Sequence, residues 1–106
     1  MLRIDISPRA AADIRATVRY YAREASSATA VRFRDEFRAA ALLLAERPAI
    51  GSHRFSHLTS EVELRVWSLD RFPFRLFYYA DDEAVHILAV THESRHISRA
   101  LLRPVK

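Results

Sequence analysis

The chain has 106 residues, half of them hydrophobic, with no cysteine and a single glycine, a length that fits one domain able to bury a core. Without cysteine there is no disulfide framework, no thiolate nucleophile and no Cys-ligated zinc or iron–sulfur centre, and the longest apolar run, Ala39 to Ala45, is far short of the roughly 20 residues of a bilayer span. Seventeen basic residues against thirteen acidic ones give a formal charge of +4, and every basic residue except Lys106 is arginine.

Leu2 to Ile6 alternates apolar and charged residues, the period-2 pattern of a half-buried strand. Arg3, Asp5, Pro8 and Arg9 interrupt the opening residues, so a secretory leader is not expected and a soluble, cytoplasmic protein is. Ser7-Pro8 reads as a helix start, with serine as N-cap and proline at the first helical position. Ile14, Val18, Tyr21 and Ala25 then form one apolar stripe, and Arg15, Arg19 and Arg23 a basic stripe about 120° away.

Ser26-Ser27 breaks this pattern and caps a second helix with Ala30, Phe33, Phe37, Ala40 and Leu44 inward, ending before Pro48. So short a connection predicts an antiparallel helical hairpin. Pro48 to Gly51 is a turn, and Ser52 to Ser60 has no clear periodicity. Val62–Leu69, Pro73–Ala80 and Ala84–Thr91 read as strands, the last apolar enough to be central, with a polar hairpin turn at Asp81-Asp82-Glu83. A short helical tail is expected over Glu93 to Leu102. The expected architecture is a single α+β domain over 1–106, ordered β-α-α-β-β-β, with the N-terminal helical hairpin packed on a mostly antiparallel sheet.

This order, Ser7 to Ile14, Tyr20-Tyr21, Pro48-x-Ile50-Gly51, Leu64-Arg65, Phe72-x-Phe74-Arg75-Leu76-Phe77-Tyr78 and Val90-x-His92-x-x-Arg95 together resemble the RelE/ParE toxins of bacterial type II toxin–antitoxin systems. The long hairpin, the Pro-Phe-Arg strand and the His-x-x-Arg ending look more like the ParE side. The resemblance implies a growth-inhibiting toxin that is neutralised by a cognate antitoxin and binds DNA gyrase, touching DNA only indirectly through the antitoxin complex. It implies no cofactor and no membrane. The alternative branch, RelE-like, cuts messenger RNA on the ribosome.

A nuclease needs a base, an acid and cations around one phosphate. By resemblance Arg75 is the phosphate ligand, with Arg65 and Arg95 adding charge and His92, whose ordinary pKa lies near neutrality, as acid or base. No lysine lies in the strands and no tyrosine follows Tyr79, so Glu61 and Glu63 stand as substitutes. The bland reading of Arg65 and Arg75 is pairing with carboxylates or capping of carbonyls, and of His92 a strand-end histidine bonded to backbone. No catalytic residue is therefore favoured. The residues expected to meet the antitoxin or target are Arg15, Arg19, Arg23, Trp67, Phe74, Arg75, Arg95 and Arg99, with Phe72 and Tyr78 also candidates for an apolar groove; the alternative for these four aromatics is core, the commoner meaning of aromatic residues at strand spacing.

His92-Glu93-Ser94-Arg95-His96 matches H-E-x-x-H, which binds zinc only when a helix puts both histidines on one face and a third ligand, here His53 or His57, completes the site. Following a strand directly, it reads as coincidence, and no metal is expected. The arginine excess has two readings, a coding bias in a GC-rich genome or an anionic partner.

Overall fold

The computed structural model describes residues 1–98. Ser7 is the junction between strand β1 (Arg3–Ile6) and helix α1 (Pro8–Glu24). Its Oγ accepts from the Ala10 amide at 3.0 Å, satisfying a donor that the first helical turn leaves free, and donates to the Leu88 carbonyl at 2.9 Å. Ile14, Val18 and Tyr21 pack on the core as the stripe predicts. Ala25 does not: at φ −126°, ψ −84° it lies past the helix end and is exposed.

Ser26 Oγ accepts from the Thr29 amide and opens α2 (Ser27–Glu46). Its inward face, Ala30, Phe33, Phe37, Ala40 and Leu44, is buried throughout. A 3-10 turn at Pro48–Ile50 follows, and the aperiodic stretch after it contains a second one at Ser56–Leu58. The later strands are β2 (Arg65–Ser68), β3 (Phe74–Ala80) and β4 (Ala84–His92). Strand β2 is shorter than Val62–Leu69.

The strands lie in the order β1-β4-β3-β2, with β1 parallel to β4 and the other pairs antiparallel. Central β4 buries Val85, Ile87, Ala89 and Val90, as a strand covered on both faces requires. The β3–β4 register shifts between Phe77 and Tyr78. Strand β1 stops opposite Ile87, and α1 continues its work: Ser7 N donates to Ile87 O, and the Asp13 carboxylate accepts from Val90 N at 2.9 Å. Two residues of the helix start thus satisfy a sheet edge that the short strand leaves open.

The helix-facing core joins Phe33, Phe37 and Leu44 to Leu76, Tyr78 and Ile87. A smaller cluster, Leu64, Val66, Phe77 and Ala89, lies on the opposite face under Phe55, Leu58 and Ile97. The aperiodic 52–60 stretch therefore lids the sheet, and hiding a side chain such as Phe77 there contributes about 2–3 kcal/mol. The expected helical tail is corrected: Glu93–Ser98 forms a turn and then irregular chain. Ser94 bonds back to His92 from both its amide and its hydroxyl, which closes a turn where a helix would have to start. The rest of the tail, including Arg99, lies outside the described residues.

Candidate functional site

Arg65 Nη1 donates to the carbonyls of Ala49 and Gly51, each at 2.9 Å, and its Nη2 pairs with Glu63 at 2.8 Å. Two of its bonds hold the Pro48–Gly51 turn and the third a carboxylate, the carbonyl-capping and carboxylate-pairing readings together. Tyr78 grips that turn from below: its buried hydroxyl accepts from Gly51 N at 2.9 Å and donates to Pro48 O at 2.8 Å. Glu63 also bonds His53 Nε2, and these contacts, His53 first and Arg65 second, lower its pKa. A carboxylate held in its charged form this way is a poor proton acceptor.

Arg75 lies opposite Thr91 on the face away from the helices, its guanidinium 5.6 Å from the Phe55 ring centroid. His92 lies opposite Phe74 on the helix-facing side and packs edge-on against that ring at 5.2 Å. Adjacent strand positions point to opposite faces, so the sheet itself separates Arg75 from His92. The His92 Nδ1 accepts from Ser94 N at 3.0 Å and from Ser94 Oγ at 2.7 Å, the strand-end reading. Arg95 donates its amide to His92 O and sets its charge near Asp13, together with Arg9. Burial is the larger influence on Asp13 and raises its pKa despite those cations and the Val90 amide. Arg65, Arg75 and His92 do not converge. The five residues of the H-E-x-x-H match are not helical, so its two histidines do not share the spacing that zinc needs.

Phe74 and Tyr78 are core residues, 8% and 0% exposed, which corrects their candidacy for a groove. Trp67 and Phe72 are half-buried and pack on the same core. Trp67 stays at the surface, flanked by shallow depressions beside edge strand β2. Aromatic residues at strand spacing resolve into core and rim only once α2 is laid over them.

The groove lies elsewhere, between the helical hairpin and β1. Ile4 and Ile6 from the strand, Ala11 and Ile14 from α1, and Phe37 and Ala41 from α2 enclose about 370 Å³. Ile6 is 40% exposed there. Arg15, Arg34 and Arg38 line the same groove. All three are exposed, and among the described residues none has an ion pair. Arg34 and Arg38 stand one helical turn apart, where like charges repel unless an anion lies between them. The expected stripe is thereby divided: Arg15 borders the groove, Arg19 faces solvent, and Arg23 pairs with neighbouring Glu24 at 3.3 Å. Arg34 and Arg38 were legible as an i, i+4 pair but escaped the sequence reading, because that reading followed the inward face of α2 alone.

Among the described residues no helix is long and apolar enough to cross a membrane. No curated protein matches this sequence. A solved structure described as the chromosomal ParDE TA system from P. aeruginosa matches with a TM-score of 0.71 and 20% sequence identity, over 87% of this chain and 96% of that one. The family model described as the ParE toxin of the type II toxin–antitoxin system parDE matches residues 4–97.

Proposed function

The chain belongs to the ParE toxin family of type II toxin–antitoxin systems, and from that premise we propose that it inhibits growth by binding DNA gyrase and is silenced by an antitoxin seated in the arginine-rimmed groove. The observation carrying the antitoxin site is the combination of an apolar floor with three guanidiniums at its border that have no ion pair among the described residues. Such a surface fits an amphipathic segment whose apolar residues fill the floor and whose carboxylates meet Arg15, Arg34 and Arg38. Arginine suits this role because its fork pairs carboxylates in a fixed geometry and stays charged at any physiological pH.

The mode of action is binding rather than RNA cleavage. In-line attack by a 2′-hydroxyl needs base, acid and phosphate ligands around one phosphorus atom. Arg75 and His92 face opposite sides of the sheet and Arg65 is held by carbonyls, an arrangement that supports an inhibitor over a nuclease.

Arg34→Glu/Arg38→Glu tests the groove. The double variant should weaken antitoxin binding at least 100-fold by calorimetry, since reversing charge replaces attraction with repulsion. Cells making it should remain poisoned when the antitoxin is co-expressed. Unchanged affinity in a folded double variant would place the antitoxin elsewhere.

A further inference from the structure

The sheet face away from the helices carries one cluster that the groove does not use. His86 on β4 has a carboxylate on each ring nitrogen, Asp5 Oδ2 at 2.9 Å from Nδ1 and Asp81 Oδ2 at 2.8 Å from Nε2. The Tyr79 ring stacks on it, centroids 4.6 Å apart and planes 17° from parallel. A neutral imidazole has one N–H; only the imidazolium donates from both nitrogens. The arrangement is therefore built for the protonated ring.

Its two anchors come from distant parts of the chain. Asp81 Oδ1 accepts from the Glu83 and Ala84 amides, fixing the β3–β4 turn. Those bonds, with the one to His86, hold its carboxyl at about 2. Asp5 belongs to β1, a four-residue edge strand with β4 as its only strand neighbour among the described residues. The amides of Arg3 and Ser7, bonded to Glu83 O and Ile87 O, flank it. Strand β1 also supplies Ile4 and Ile6 to the groove.

We propose that Asp5, His86 and Asp81 form a proton-operated staple, in which the protonated ring holds edge strand β1 to the sheet and its deprotonation loosens the strand and the groove wall it provides. When the proton leaves, one carboxylate faces a nitrogen lone pair instead of a donor, and that arm of the bridge opens. The charged and titratable groups around the ring are Arg3 and Asp5 from β1, Asp81, Asp82 and Glu83 from the turn, and Tyr79 from β3. Of these, the two carboxylates bonded to the ring, Asp5 and Asp81, favour its charged form. Burial draws the His86 pKa down, but the bonds to Asp5 and Asp81 outweigh it and the net shift is upward. A folded-state value above the unfolded one means that the staple is complete below about pH 6.5 and is lost as pH climbs through the folded value.

The test is an NMR titration of the His86 ring alongside amide hydrogen exchange at Arg3 and Ser7, corrected for intrinsic rates and referenced to α2. The ring should titrate above about pH 6.5, and β1 protection should fall about three- to tenfold across that midpoint, the range expected of two partly exposed charged bonds. Asp5→Asn should move both the midpoint and the step to lower pH, and His86→Asn should abolish the step. A ring that titrates at or below its ordinary value, or a step that stays in place in Asp5→Asn, would overturn the staple. The Asp5→Asn arm decides the matter even if His86→Asn fails to fold.

Discussion

Gly51→Ala probes the Pro48–Gly51 turn, where the only glycine of the chain meets a buried tyrosine. The Gly51 backbone is ordinary extended chain at φ −67°, ψ 157°, so the glycine is needed for space and not for conformational freedom. A Cβ there would overlap the Tyr78 hydroxyl and lie 2.8 Å from Cε1 of that ring. Tyr78 is 0% exposed, so the ring has nowhere to retreat without repacking the helix-facing core. Overpacking costs about 1–3 kcal/mol, and losing the bonds to Gly51 N and Pro48 O adds about 0.5–1.5 kcal/mol each. The expected loss is about 2–6 kcal/mol, read as a fall of roughly 10–35 °C in Tm for a domain of this size. Chemical denaturation of Gly51→Ala, Tyr78→Phe and the double variant separates the causes. Removing the hydroxyl removes the worst overlap, so the two losses should fall short of additivity by about 1 kcal/mol or more. A Gly51→Ala variant within about 0.5 kcal/mol of wild type, or strictly additive losses, would refute the reasoning.

Other consequences are accessible to the same denaturation assay. Asp13→Ala leaves the Val90 amide without its acceptor and should destabilise by about 1–3 kcal/mol. Asp13→Asn keeps an acceptor there and relieves the desolvation that raises the Asp13 pKa, so it should lie within about 1 kcal/mol of wild type. Arg65→Lys keeps the charge but not the fork across the Ala49 and Gly51 carbonyls, and should cost about 1–2 kcal/mol. In growth assays, His92→Ala combined with Arg75→Ala should leave toxicity in place if the protein still folds; loss of toxicity with intact folding would favour RNA cleavage.

Local patterns carried the elements. Ser7-Pro8 announces both the end of β1 and the start of α1, and the inward face of α2 is readable from its spacing alone. The helix expected from Glu93 is not formed over the described residues 93–98, because the Ser94–His92 bonds close a turn that no local pattern reveals. The groove failed differently. Sequence periodicity identifies which residues point inward, but not which inward residues remain at a rim once helices and strand are assembled. So of the four aromatic groove candidates Phe74 and Tyr78 take the alternative, core reading, while Ile4, Ile6 and Ile14, on the inward faces of their elements, border an opening. Asp13 with Val90, and Asp5 with His86, join residues 77 and 81 positions apart, beyond the reach of any local pattern. The arginine excess gains a position from this: at the groove border it is charge beside apolar surface, without an ion pair among the described residues.

The target is tested most directly by adding the purified chain to DNA gyrase during supercoiling of relaxed plasmid, with and without the cognate antitoxin. The account predicts that supercoiling stops, that cleaved DNA accumulates, and that the antitoxin restores activity. Gyrase working at full rate in a molar excess of folded chain would contradict it.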